Sequence, residues 1–186
     1  IWVGVGTMPE KSVLFPLAPV YRKKGINLLQ GKATQIWPHG GEGSDKGFVE
    51  VESTVPGREG SRARIPYDYL INATGPQLRF DATPGLGPDA GETVSVCTAE
   101  HATHAAVELD ALIERAKAGH KQVAVVGTGH GTCTCEGAAF EYVFNVDDVL
   151  RKAGVREQVE LIYLTNEAEL GDFGVDGMTF VERGFE

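Results

Sequence analysis

Two stretches of this chain carry apolar residues at three- and four-residue spacing, and the segments around them run apolar at consecutive positions. The first stretch, Ala99 to Ala118, places Ala102, Ala105, Ala106, Leu109, Leu112, Ile113 and Ala116 on one side, with Thr98 as N-cap and Gly119 as stop. The second, Glu136 to Lys152, does the same with Ala139, Tyr142, Val143, Val146, Val149 and Leu150. Between them Lys121 to Gly127 holds the continuous apolar run Val123, Ala124, Val125 and Val126, and Val159 to Leu164 follows. The order strand, helix, strand predicts a βαβ unit with a parallel sheet.

The earlier half of the chain is patterned differently. Lys11 to Lys24 has Val13, Leu14, Leu17, Ala18 and Tyr21 at helical spacing, but Pro16 and Pro19 cut against it and predict a short or irregular helix. Strand-like segments follow at Ile26 to Leu29, Ala33 to Trp37, Gly47 to Val51 and Tyr67 to Asn72, separated by turn-forming clusters at Pro38 to Lys46 and Pro56 to Gly60. They predict a small antiparallel excursion returning to a buried strand. The expected boundary lies near Gly119, giving segments 1–118 and 119–186. The second is expected to be incomplete, because a lone βαβ unit cannot cover both faces of its sheet.

Composition narrows the class. With 186 residues, 42% of them apolar, the chain can bury a real core. Seventeen basic against 26 acidic residues, a formal charge of −9, disfavour a nucleic-acid surface and suit small-molecule chemistry. No apolar run approaches the roughly 20 residues that span a bilayer. The chain opens on Ile1 rather than Met, and its last residues begin an amphipathic pattern without a cap; the expectation is an internal fragment of a longer chain.

The candidate chemistry gathers at strand-to-helix turns. Gly127, Thr128, Gly129, His130 and Gly131 lie where a Rossmann fold places its phosphate-binding turn, but the third fingerprint position falls on Thr132. Glu167 lies too far on to match the usual ribose-binding acid. Cys133 and Cys135 follow. A thiolate at a helix N-terminus is stabilised by unpaired N–H groups, which places Cys135 for reactivity; both cysteines also read as small buried apolar residues. No second ligand pair accompanies them for a metal. Cys97, just ahead of Thr98, shares the thiolate argument, and His101 and His104 on the first turns of that helix could move protons near neutral pH or be solvated. His104 and His39 read as surface residues. Three cysteines cannot close a disulfide framework within the chain. Finally, Tyr67 to Asn72 leads into Ala73, Thr74 and Gly75, where backbone can approach a ligand.

Taken together, Val3 to Gly6, Tyr67 to Leu70 with Ala73 to Pro76, Cys97 to Ala102, Cys135 to Glu141 and Leu170 to Val175 occur in an order that resembles the sulfide:quinone oxidoreductases and the related flavin subunit of flavocytochrome c sulfide dehydrogenase. The resemblance implies an α/β, Rossmann-like flavoprotein fold with two dinucleotide-binding domains, truncated at both ends. Residues 1–118 would be the remainder of the FAD-binding domain and 119–186 the first βαβ unit of the second. It further implies an FAD enzyme in which sulfide enters at a cysteine disulfide or polysulfide bridge and electrons leave to quinone, with peripheral membrane association through parts beyond this segment and self-association left open. By position Cys135 matches a bridging cysteine and Cys97 a further redox cysteine. Glu141 and His101 match proton-handling residues, Thr74, Gly75 and Pro76 match FAD contacts, and Ala33 matches a backbone contact to the adenine end. Asp172 and Gln77 depart from the family's histidine and lysine, and Cys133 has no counterpart. Without the upstream glycine fingerprint the segment is not expected to retain FAD firmly. A flavoprotein NAD(P)H dehydrogenase using the Gly127 turn, and a non-catalytic folded module, remain the alternative readings.

Overall fold

The computed structural model describes residues 1–41, 43–89, 91–128 and 136–165. These residues form a mixed helix and sheet, α/β architecture that divides into two compact units: Pro16–Gln77, and Ile1–Phe15 with Leu78–Glu186 as far as that stretch is described.

The Pro16–Gln77 unit holds α1 (Leu17–Lys23) and an antiparallel sheet of β1 (Gly31–Trp37), β2 (Phe48–Ser53) and β3 (Arg62–Pro66), in the order β1-β2-β3. The helix is short for the reason its prolines gave. Pro16 is its N-cap in extended conformation, and Pro19 falls in the first turn, where a missing N–H leaves no intrahelical bond unmade. In the sheet Trp37 pairs with Phe48 and Phe48 with Pro66; the Trp37 and Phe48 rings stack at 5.8 Å, and Phe48 is buried.

Two expectations fail in this unit. Ile26 to Leu29 is not a strand; the ladder starts at Gly31. Tyr67 to Asn72 is not a strand either, and the third strand is Arg62–Pro66. The alternation of Arg62, Ala63, Arg64 and Ile65 suits a sheet with one wet face, and it registers against β2 from Phe48↔Pro66 to Glu52↔Arg62. Tyr67 to Asn72 is apolar at Tyr67, Tyr69, Leu70 and Ile71, a composition that favours a strand. Among the described residues it has no ladder partner, and Tyr69 and Ile71 are 94% and 87% exposed.

The other unit contains α2 (Ala99–Lys117), β4 (Gln122–Gly127), α3 (Glu136–Lys152) and β5 (Val159–Leu164). Strands β4 and β5 pair in parallel from Gln122↔Val159 to Gly127↔Leu164, with α3 between them in sequence, the βαβ unit that the periodicity predicts. Thr98 caps α2, its Oγ1 accepting from the His101 N–H at 3.1 Å. The buried side of α2 is Ala102, Ala105, Leu109, Ile113 and Ala116.

One core joins these elements. Leu109, Ile113 and Ala116 of α2 meet Val146 and Leu150 of α3, with Val5 from the first residues and Val155 and Val159 from the approach to β5. Segments on both sides of Gly119 therefore share a core. The β4–β5 sheet is half covered: Ala124 and Leu161 pack on this core, whereas Val123, Val125, Ile162 and Leu164 face outward and are exposed, Val123 and Val125 at 60%. Strand alternation puts these two sets on opposite faces.

The end of α3 is tied to β5 by charge. Asp147 accepts from Arg151 at 2.6 Å and from Arg156, and Arg156 also donates to the Val159 carbonyl at 2.8 Å. Rings of Phe140 and Tyr163 stack at 4.8 Å between the same two elements.

Candidate functional site

Cys97 precedes the cap of α2 and is held by its own backbone: its N–H donates to the buried Ser95 Oγ at 3.2 Å. Its thiol is free and exposed. It lines a cleft of about 410 Å³ with Ile1, Val3, Met8, Ala102 and Glu141. The lining is largely apolar, with Cys97, Thr98 and Glu141 among the polar contributors, and the cleft is open to solvent.

Glu141 enters the cleft from α3, so the fold brings together two of the site residues named from sequence although they lie on different helices. His101 is not among the residues that line it. Its ring, half-buried, stands 5.9 Å from Phe80 at a tilt of 55°, and its Nδ1 is enclosed without a hydrogen-bond partner among the described residues. His104 is exposed beside Glu108, and His39 is exposed in its turn, as the surface reading expects.

Tyr142, the residue after Glu141, is bonded to Gly4, next to the segment of Ile1 to Val3 that lines the cleft. Its hydroxyl donates to the Gly4 carbonyl at 3.0 Å, and burial pushes its phenol up to about 12. Gly4 is buried with no room for a side chain: a Cβ would stand 2.7 Å from Val96 Cγ1 and 3.1 Å from Tyr142 Cε2. The spacing of α3 predicts Tyr142 on its apolar side, and Gly4 lies in the Val3 to Gly6 segment of the family resemblance. The pairing of the two carries no local signal, because it joins the first residues to a helix far along the chain.

The expected cofactor-binding residues all belong to the Pro16–Gln77 unit. Thr74 is turned back onto Asn72, whose Oδ1 accepts from its N–H at 3.3 Å and from its hydroxyl at 2.9 Å, an Asx-type turn that leaves Gly75 and Pro76 exposed. Ala33 is exposed on β1 beside a register irregularity between Ala33 and Gln35. Ala33 is paired with Val51 in the ladder, and Thr74, Gly75 and Pro76 lie outside it.

Cys133 and Cys135, with most of the glycine-rich turn, lie outside the described residues, as do Glu167 and the Leu170 to Val175 block. Gly127 is described, and its glycine has a packing reason: a Cβ there would meet the Leu164 carbonyl oxygen at 1.9 Å. Among the described residues no cluster of three His, Cys, Asp or Glu could hold a metal ion, and no helix is long and apolar enough to cross a membrane.

No protein-family model matches the chain. Among curated proteins it is similar to the sulfide-quinone reductase of Aquifex aeolicus (strain VF5), 34% identical over 181 residues, which is 97% of this chain and 36% of that protein. It is also similar to the mitochondrial sulfide:quinone oxidoreductase of Dictyostelium discoideum, 30% identical over 114 residues, 61% of this chain and 24% of that protein. The chain thus spans about a third or less of the length of the curated relatives it matches. With an alignment running through nearly all of its residues, the chain belongs to the sulfide-quinone reductase family.

Proposed function

We propose that this chain is part of an FAD-dependent oxidoreductase that passes electrons from sulfide through redox cysteine and flavin to quinone. The observation that carries the reading is the meeting of Cys97 and Glu141 on one apolar cleft, in a chain similar along 97% of its length to a sulfide-quinone reductase. Within this reading residues 1–118 are the remainder of the FAD-binding domain of a two-dinucleotide-domain fold, and 119–186 are the first βαβ unit of the second. FAD, when bound, supplies a two-electron acceptor.

The chain's own residues then divide the work. Ala33, Thr74, Gly75 and Pro76 hold the cofactor. Cys135 is one of the two bridging cysteines that receive sulfide sulfur, and Cys97 is the further redox thiol, kept accessible at the cleft by its place ahead of the Thr98 cap. Glu141 takes up protons released as sulfide is oxidised. His101, with an enclosed ring nitrogen that no described group occupies, relays protons on the other side of the helix start. The protein associates peripherally with the membrane where its quinone resides.

The test is anaerobic addition of sulfide to the full-length flavoprotein. Its yellow absorbance should bleach, Cys135→Ser should abolish the bleaching, and Cys97→Ser should slow it. Flavin that sulfide leaves unreduced, while NADH reduces it, would replace this reading with an NAD(P)H dehydrogenase.

A further inference from the structure

Three segments far apart in sequence contribute to the Cys97 cleft. Val3 lines the cleft and Gly4 follows it; Val96 and Cys97 both line it; Glu141 lines it and Tyr142 follows it. Gly4, Val96 and Tyr142 interlock. The Gly4 backbone lies where a Cβ would be 2.7 Å from Val96 and 3.1 Å from the Tyr142 ring, and the Tyr142 hydroxyl closes the contact by donating to the Gly4 carbonyl at 3.0 Å. Both Gly4 and Val5 are buried, so this loop is anchored in the core and not draped over it.

We propose that Gly4 and Tyr142 are positioning residues: their hydrogen bond and close packing lock the loop, the Val96–Cys97 turn and α3 in the one arrangement that sets Glu141 facing Cys97 across the cleft. The chemistry of the contact suits that task. A single hydroxyl bonded to a backbone carbonyl has a defined direction, and a glycine without space for a side chain admits no second packing. Burial keeps the phenol protonated well past neutral pH, so the donor is never lost under working conditions.

The inference concerns thiol geometry and stands apart from the flavin reading. It is tested on the full-length protein carrying Cys133→Ser and Cys135→Ser, with alkylation of Cys97 followed on its own peptide by mass spectrometry. The rate of alkylation by anionic iodoacetate is divided by that for neutral iodoacetamide, a ratio in which the thiolate fraction cancels. With Glu141 facing the thiol, Glu141→Gln raises the ratio about two- to threefold, the size expected for one nearby charge seen through water. Tyr142→Phe, which keeps the ring and removes only the hydroxyl, raises the ratio to the same value, and adding Glu141→Gln to it changes nothing further. Gly4→Ala repeats the result with the phenol in place.

A merely structural role would lower the melting temperature of Tyr142→Phe and leave the ratio at its starting value, and that result overturns the proposal. So does a Glu141→Gln variant with an unchanged ratio. A Tyr142→Phe chain that has lost its helical circular dichroism also counts against it, because a positioning contact leaves the Leu109, Ile113 and Leu150 core intact. Neither reagent touches flavin or sulfide, so failure here leaves the proposed function standing, and an unreactive flavin leaves this result standing.

Discussion

Arg156 donates its Nε–H to the carboxylate of Asp147 and, through Nη1, to the carbonyl of Val159, so one guanidinium bonds the last turns of α3 to the first residue of β5. Asp147 is also bonded by Arg151 one turn on. Burial by itself would push the Asp147 carboxyl up; the hydrogen bonds and charges of the two arginines outweigh it and hold the carboxyl below the usual carboxylate range.

A carboxyl whose value is depressed in the folded state contributes stability above its unfolded value of about 3.9, and that contribution is lost as pH falls through the folded value. Asp147→Asn is therefore expected to lower stability at pH 7 by about 0.5 to 1 kcal/mol, a modest figure because the site is partly solvated. The difference between variant and parent should close as pH drops below about 4. Urea melts at a series of pH values check this; a gap that persists at low pH would mean the arginine bonds are not its source.

Tyr142 gives the opposite sign. Its phenol is pushed up to about 12 by burial, so the folded state favours the protonated form, and the stability this carries is complete below the unfolded value of about 10 and lost as pH rises through about 12. Alkaline absorbance titration should show one tyrosine ionising later than the rest, and Tyr142→Phe should remove that late step. Stability of the parent should fall more steeply than that of the variant above pH 10, by roughly 1 to 3 kcal/mol over the full range.

Leu150 has no exposed surface and stands where α2, α3 and the approach to β5 meet. Leu150→Ala should cost about 2 to 5 kcal/mol, the range for a buried leucine whose surroundings collapse only in part. Denaturant unfolding measures it. A loss under 1 kcal/mol would show that the core closes over the gap, or that the α2–α3 contact carries little of the stability.

The helices were legible because capping and periodicity are local, as with Thr98 ahead of the apolar 3-4 pattern of α2. The parallel pair was legible because two apolar runs, Val123 to Val126 and Val159 to Leu164, flank a helix and supply each other's neighbour. The antiparallel excursion was legible as a class, but not in detail. Tyr67 to Asn72 has the composition of a strand, and a strand exists only where a neighbour accepts its backbone bonds; Arg62–Pro66, less apolar, has that neighbour in β2. The uncovered face bearing Val123, Val125, Ile162 and Leu164 follows from the same dependence, since residue identity says that a surface is apolar and not which element lies on it.

For the candidate site, the sequence by itself singled out the candidates: a cysteine beside a helix cap at Cys97, a cysteine in the glycine-rich turn at Cys135, and, through family resemblance, Glu141 and His101. Only the tertiary structure decided how the described ones combine. It placed Cys97 and Glu141 on one cleft, left His101 off it against Phe80, and bonded Tyr142 to Gly4 next to the lining residues. The physical reason is range. Caps, periodicity and turn chemistry act over a few residues, whereas a cleft is made where separate segments pack, and which segments meet is set by the burial of their apolar faces in a common core.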